Sequence, residues 1–170
     1  MTSATEPLRE EHRELLPHVD ALRVVADGIG HFSADQLRSE VDAILDFLNH
    51  HLIPHAEAEE RVLYPMVGKV LGAPRATATM SRDHVEVGRL AAELNQLRTQ
   101  IGQPQVEATV SCDLRRVLYG LHALLQVHFA KEEEIYLPLL DAALTPDVTA
   151  TMFEQMEAAA ASAKARHSGS

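Results

Sequence analysis

Apolar residues recur along this chain at helical spacing, and the breaks in that spacing divide it into five segments. Leu15, Leu16, Val19, Leu22 and Ala26 share one stripe, which predicts a first helix from about Pro7 to Asp27. Pro7 suits a first helical turn, while Gly28 and Gly30 suit its end. Pro17 falls inside this helix and predicts a kink. After a loop of Gly30, His31 and Phe32, Ser33 is a fair N-cap for a second helix from Ala34 to about Leu71. Leu37, Val41, Ile44, Leu45 and Leu48 mark its inner face; Pro54 and Pro65 predict bends, and Gly72-Ala73-Pro74 ends it. A third helix spans roughly Ala76 to Gln100, with Met80, His84, Val87, Ala91 and Leu94 inward, and Gly102-Gln103-Pro104 stops it. A fourth runs from about Val106 to Ala143. Thr145-Pro146-Asp147 starts a fifth, which reaches about Ala163 and leaves a frayed tail, KARHSGS.

Two of these helices carry polar residues where a plain core would carry leucine. In the fourth, His128 and Glu132 lie one turn apart on one face, with Leu121, Leu124, Leu125, Ile135 and Leu139 on or beside that stripe. In the second, His55 and Glu59 repeat the spacing. An offset of 73 carries His55 onto His128, Glu59 onto Glu132 and Pro65 onto Pro138. The helix before each pair adds one histidine: His12 precedes His55 by 43 residues, and His84 precedes His128 by 44. Two such hairpins predict an all-α fold, an up-down-up-down four-helix bundle at about residues 8–142 with an additional short C-terminal helix and tail at 145–170. Residues 1–170 then form a single domain. His12, His55, Glu59, His84, His128 and Glu132 would meet in its core.

Composition fits this picture. The 170 residues suffice for one sizeable core, and the scarcity of aromatics with abundant Ala, Leu, Glu and Arg favours helix over sheet. A formal net charge of −10 argues against nucleic acid and anionic membranes as partners. The one cysteine, Cys112, excludes an internal disulfide framework and fits a reducing, cytoplasmic compartment. Cys112 itself reads as a packing residue. The N-terminal residues lack the basic start and apolar run of a secretory signal, and no stretch offers 18 uncharged apolar residues for a membrane span.

Burying charge is costly unless a metal or a partner compensates it. Four imidazoles and two carboxylates on four facing helices point to a dinuclear metal site, each ion taking two histidines and sharing both glutamates. Mixed nitrogen and oxygen donors suit iron or manganese, and zinc is an alternative. Coordination positions left over would take a small molecule. A ferritin-like site needs glutamate three residues before histidine, and no histidine here has one. HExxH zinc-protease spacing is absent as well.

The pattern His12, His55-xxx-Glu59, His84, His128-xxx-Glu132, with the phrases PHAEAEERVLYP and HFAKEEEIYLP, resembles the hemerythrin-like (HHE cation-binding) domain family over about residues 8–142. The resemblance implies an oxo- or hydroxo-bridged pair of iron ions held by those six residues. It also implies small-molecule partners: oxygen, peroxide or nitric oxide. Oxygen-carrying hemerythrin has a second histidine one turn after the first on the third helix, where this chain has Gly88. It also has an aspartate five residues after its last histidine, where Glu132 follows His128 by four. These departures shift the expectation from reversible oxygen carriage to redox turnover, peroxidase- or catalase-like, with nitric oxide as a co-substrate. The alternative is an oxygen, nitric oxide or iron binding and sensing protein. Tyr136, one turn beyond Glu132, is the candidate catalytic phenol, to hydrogen-bond a bridging carboxylate, ligate iron or act in redox, with a packed core tyrosine the plain alternative. His18 is an alternative to His12, His51 is expected to be partly exposed, and Glu60 and Glu133 are expected to be solvated or paired.

Overall fold

The computed structural model of the chain describes residues 3–102 and 105–167. Gln103 and Pro104 of the third helix's stop, and Ser168, Gly169 and Ser170 of the tail, lie outside the described residues. Five helices account for all regular structure among those described. They are α1, Glu6–Gly28; α2, residues 34–71; α3, Ala78–Thr99; α4, residues 108–143; and α5, Pro146–His167. Ser33 caps α2 as expected: its Oγ accepts from the Gln36 N–H, while the Gln36 side chain accepts from the Ser33 N–H. Gly72 ends α2 in the left-handed region, at φ 61°, where a side chain would be strained. α1 and α3 each pack against both α2 and α4, and α5 lies across residues 48–63 of α2. No described helix is long and apolar enough to cross a membrane.

The bends expected at Pro54 and Pro65 take a specific form. α2 passes through two π-helical turns, Leu48–Leu52 and Glu59–Leu63, and α4 passes through one, Glu132–Tyr136. Each ends with an i→i+5 bond: Ile53 N–H to Leu48 C=O, Tyr64 N–H to Glu59 C=O and Leu137 N–H to Glu132 C=O. The next residue in every case is a proline, Pro54, Pro65 or Pro138. Proline has no N–H to donate and its ring collides with the carbonyl four residues back. A widened turn relieves that collision without breaking the helix. Beyond such a turn the inward position comes five residues on instead of four. Ile135, expected near the buried stripe, is accordingly 57% exposed, while Leu137 is fully buried.

The apolar core falls into two blocks. One joins Leu15 to Ile29, Leu37 to Leu52, Val87 to Ile101 and the α4 residues up to Phe129. The other joins Leu8, Leu63, Tyr64, Val67, Met80, Leu137 and Leu140 to Met152 and Met156 of α5. On every helix from α1 to α4 the passage between blocks occurs at the predicted polar residues: His12, His55 with Glu59, His84, and His128 with Glu132. A polar layer thus cuts across an otherwise apolar interior.

Candidate metal centre

The structure brings all six predicted side chains into this layer. His12, His55, Glu59, His128 and Glu132 are at most 2% exposed, and the His84 side chain is 12% exposed. Glu59 lies at the middle. Its Oε1 is 3.1 Å from His55 Nε2 and 3.9 Å from His12 Nε2, and its Oε2 is 3.3 Å from His84 Nε2 and 4.0 Å from His128 Nε2. Glu132 also reaches both sides, with Oε2 3.5 Å from His12 Nε2 and Oε1 3.6 Å from His128 Nε2. The donors therefore form two groups that share Glu59: His12, His55, Glu59 and Glu132, and Glu59, His84 and His128.

Each imidazole turns its other nitrogen to a carboxylate outside the layer. His12 Nδ1 is 2.8 Å from Glu133 Oε1, His84 Nδ1 is 2.9 Å from Glu60 Oε1, and His128 Nδ1 is 3.1 Å from Asp83 Oδ2. His55 Nδ1 is 3.1 Å from Glu11 Oε1. Carboxylate acceptors hold a proton on Nδ1 and turn Nε2 inward, the orientation that metal-binding histidines adopt. The arrangement repeats with the chain: Glu60 and Glu133 each follow a central glutamate, while Glu11 and Asp83 each precede a central histidine. The sequence carried this signal as paired EE and EH/DH doublets. It could not show that each outer carboxylate serves a histidine of another helix.

Tyr64 is the residue that sequence reasoning missed. Its hydroxyl donates to Glu132 Oε1 at 2.9 Å and lies 3.3 Å from His84 Nε2 and 3.4 Å from His128 Nε2. Tyr136, the expected phenol, is not brought to the cluster; its hydroxyl donates to the Ala76 carbonyl at 3.5 Å. Both outcomes follow from the π turns, which make Tyr64 inward five residues after Glu59 and turn Tyr136 aside four residues after Glu132. Phe129 closes the layer from the first apolar block, stacked on His12 at 4.6 Å between centroids. His18 is exposed and stacks on Phe47, so it does not join His12. His51 is exposed, and Cys112, expected to be packed, is exposed too.

Electrostatics set the two glutamates apart. Burial, reinforced by the charge of Glu59, pushes the Glu132 carboxyl up to about 7. Burial acts on Glu59 in the same sense, but the charge of His55 and the close approach of the other imidazoles outweigh it and hold Glu59 well below its ordinary value. His55 is raised, its burial outweighed by the charge of Glu59 and the bond to Glu11. Burial and the neighbouring carboxylates hold the Tyr64 phenol protonated, with its pKa driven far upward.

These residues fit a cation. His12 Nε2, His55 Nε2, both Glu59 oxygens and Glu132 Oε2 are buried without a hydrogen-bond partner. Buried polar atoms are seldom left so, because each costs about 1–3 kcal/mol. His84 Nε2 and His128 Nε2 stand 3.0 Å apart. That separation suits two nitrogens bound to one cation.

The family model described as the hemerythrin HHE cation binding domain matches residues 3–140. The chain is 28% identical over 116 residues to the iron-sulfur cluster repair protein YtfE of Pectobacterium atrosepticum, covering 65% of this chain and 49% of that one. The match to YtfE of Pectobacterium carotovorum has the same extent. A third relative, the iron-sulfur cluster repair protein DnrN of Neisseria gonorrhoeae, is 27% identical over 99 residues, covering 57% of this chain and 59% of its own length. The chain thus spans about half the length of the curated relatives it matches. No solved structure gives a significant match.

Proposed function

The chain belongs to the hemerythrin HHE cation-binding domain family, and we propose from that premise that its polar layer holds two iron ions and turns over peroxide, with nitric oxide as a co-substrate. In this reading α1 to α4 wind up-down-up-down. His12, His55 and Glu132 would hold one ion and His84 and His128 the other, with Glu59 common to both groups. The observation that carries the reading is the set of five buried donor atoms without partners, gathered in the two groups that share Glu59. Bound iron would supply the redox equivalents, and the chain supplies position, proton control and exclusion of water. The outer carboxylates Glu11, Glu60, Asp83 and Glu133 hold the imidazoles in one tautomer. Tyr64 keeps its proton at Oη and donates a hydrogen bond to Glu132 Oε1, which fixes that carboxylate and leaves a hydroxyl dipole at the layer.

Access favours turnover over carriage. His84 keeps more exposure than the other five residues, and it stands one turn before exposed Gly88. A Cβ at Gly88 would meet nothing within 4 Å, so the position one turn after His84 is open. Iron-loaded protein should consume peroxide, and Tyr64→Phe should slow that consumption by about 10²-fold with unchanged iron content, the scale of one positioned hydrogen-bond donor. Peroxide loss and oxygen release, followed with and without nitric oxide, test this. Loaded wild type that consumes no peroxide but binds oxygen reversibly would contradict it.

The relatives named for iron-sulfur cluster repair support a second reading, in which the site serves repair of damaged clusters. Reactivation of an oxidatively damaged iron-sulfur enzyme by the loaded chain, without peroxide turnover, would favour that reading over the first.

A further inference from the structure

Two of the four outer carboxylates are held by a cation as well as by an imidazole, and the spacing is the same in both cases. Arg9 precedes His12 by three residues on α1, and Lys131 follows His128 by three on α4. Residues three apart are neighbours on a helix surface, so each pair closes on a carboxylate of an adjacent helix. His12 Nδ1 is 2.8 Å from Glu133 Oε1, while Arg9 Nη1 donates to Glu133 Oε2 at 2.5 Å and to the Glu133 carbonyl at 3.4 Å. His128 Nδ1 and Lys131 Nζ both bond Asp83 Oδ2, the imidazole at 3.1 Å. Resting on the metal-binding reading above, we propose that Arg9 and Lys131 are positioning residues of the centre, one for each of its two donor groups. The groups divide the two clamped histidines between them: His12 stands with His55 and Glu132, and His128 stands with His84. The other histidine of each group has no such clamp. Glu60, beside His84, accepts from the Ser81 hydroxyl at 2.8 Å, and Glu11, beside His55, bonds no lysine or arginine among the described residues. Arg9 is anchored in turn. Its Nη2 lies 3.5 Å from Asp141 Oδ2, and Asp141 accepts from the Thr5 N–H at 2.9 Å and from the Ser3 and Thr5 hydroxyls, which ties the start of α1 to α4. A carboxylate bonded by the imidazole alone can swing and carry the ring with it. One held by a cation as well keeps the ring in place before the metal arrives, so less ordering remains to be done on binding. An exposed ion pair adds little to stability by itself; the effect lies in what Glu133 and Asp83 hold.

The experiment titrates metal-free protein with cobalt(II). Competition with a coloured chelator gives the affinity, and the visible absorption of the bound ion reports the geometry of its ligands. Arg9→Met and Lys131→Met are compared with Arg13→Met, which removes a 55%-exposed guanidinium that bonds Glu6. Arg9→Met should weaken one of two binding steps about tenfold and alter its absorption, Lys131→Met should do so to the other step, and the double variant to both. Lys131→Arg, which keeps a cation at Asp83, and Arg13→Met should bind as wild type does. Unchanged affinity in either Met variant, weakening of the same step by both, equal weakening by Arg13→Met, or no recovery in Lys131→Arg would overturn the assignment while leaving the metal site standing. So would variants whose metal-free form melts earlier but whose folded form binds cobalt with wild-type affinity, the outcome of a purely structural role. Wild type that binds neither cobalt nor ferrous iron would overturn the site and the assignment together.

Discussion

At the residue scale, the six inward donors were legible because histidine and glutamate recur on apolar stripes, where burial without a partner is costly. Their supports were not legible, because Glu11, Glu60, Asp83 and Glu133 each act on a histidine of a different helix. Such supports set ligand orientation, so Glu11→Ala and Asp83→Ala should each weaken metal binding by about 10–100-fold. Competition with a coloured chelator measures this. The supports also predict a pH dependence for the metal-free protein. Glu132 and His55 both have folded-state pKa values raised above their unfolded values, Glu132 from 4.5 to about 7. Their contribution to stability is therefore complete at low pH and is lost as pH rises through those raised values. Glu59 is shifted the other way, and its contribution is lost only below its unfolded value of 4.5. Metal binding needs deprotonated donors and strengthens over the same interval. The gap in melting temperature between iron-loaded and metal-free protein should widen from about pH 5.5 to about pH 8. A gap independent of pH would place the bound metal elsewhere.

At the element scale, helix order and approximate ends followed from apolar spacing and from caps such as Ser33 and Gly72. The π turns did not. Pro54 and Pro65 announced strain, yet a local sequence cannot tell a bend from a widened turn, because the surrounding bundle decides which one packs. That gap exchanged Tyr136 for Tyr64. α5 was foreseen as a short addition, but it extends from Pro146 to His167 and places Met152 and Met156 in the second apolar block. Met156 is 5% exposed, and Met156→Ala should cost about 2–5 kcal/mol. Urea unfolding measures it; a cost below about 1 kcal/mol would show that α5 is not part of the folded core.

At the molecular scale, the two halves present matching donors and matching outer carboxylates to one layer between two apolar blocks. That layer is the weakest part of the metal-free core, since it gathers unpaired polar atoms, and it becomes a cross-link of α1 to α4 when cations fill it. The central claim is that the layer holds a pair of iron ions. Anaerobic reconstitution with ferrous iron, desalting and metal analysis test it most directly. Wild type should retain about two irons per chain and melt at higher temperature than the metal-free form, as metal bound only by the folded state requires. Glu59→Ala and Glu132→Ala should each lose metal. Wild type that retains no iron, or retains it equally after Glu59→Ala, would contradict the account.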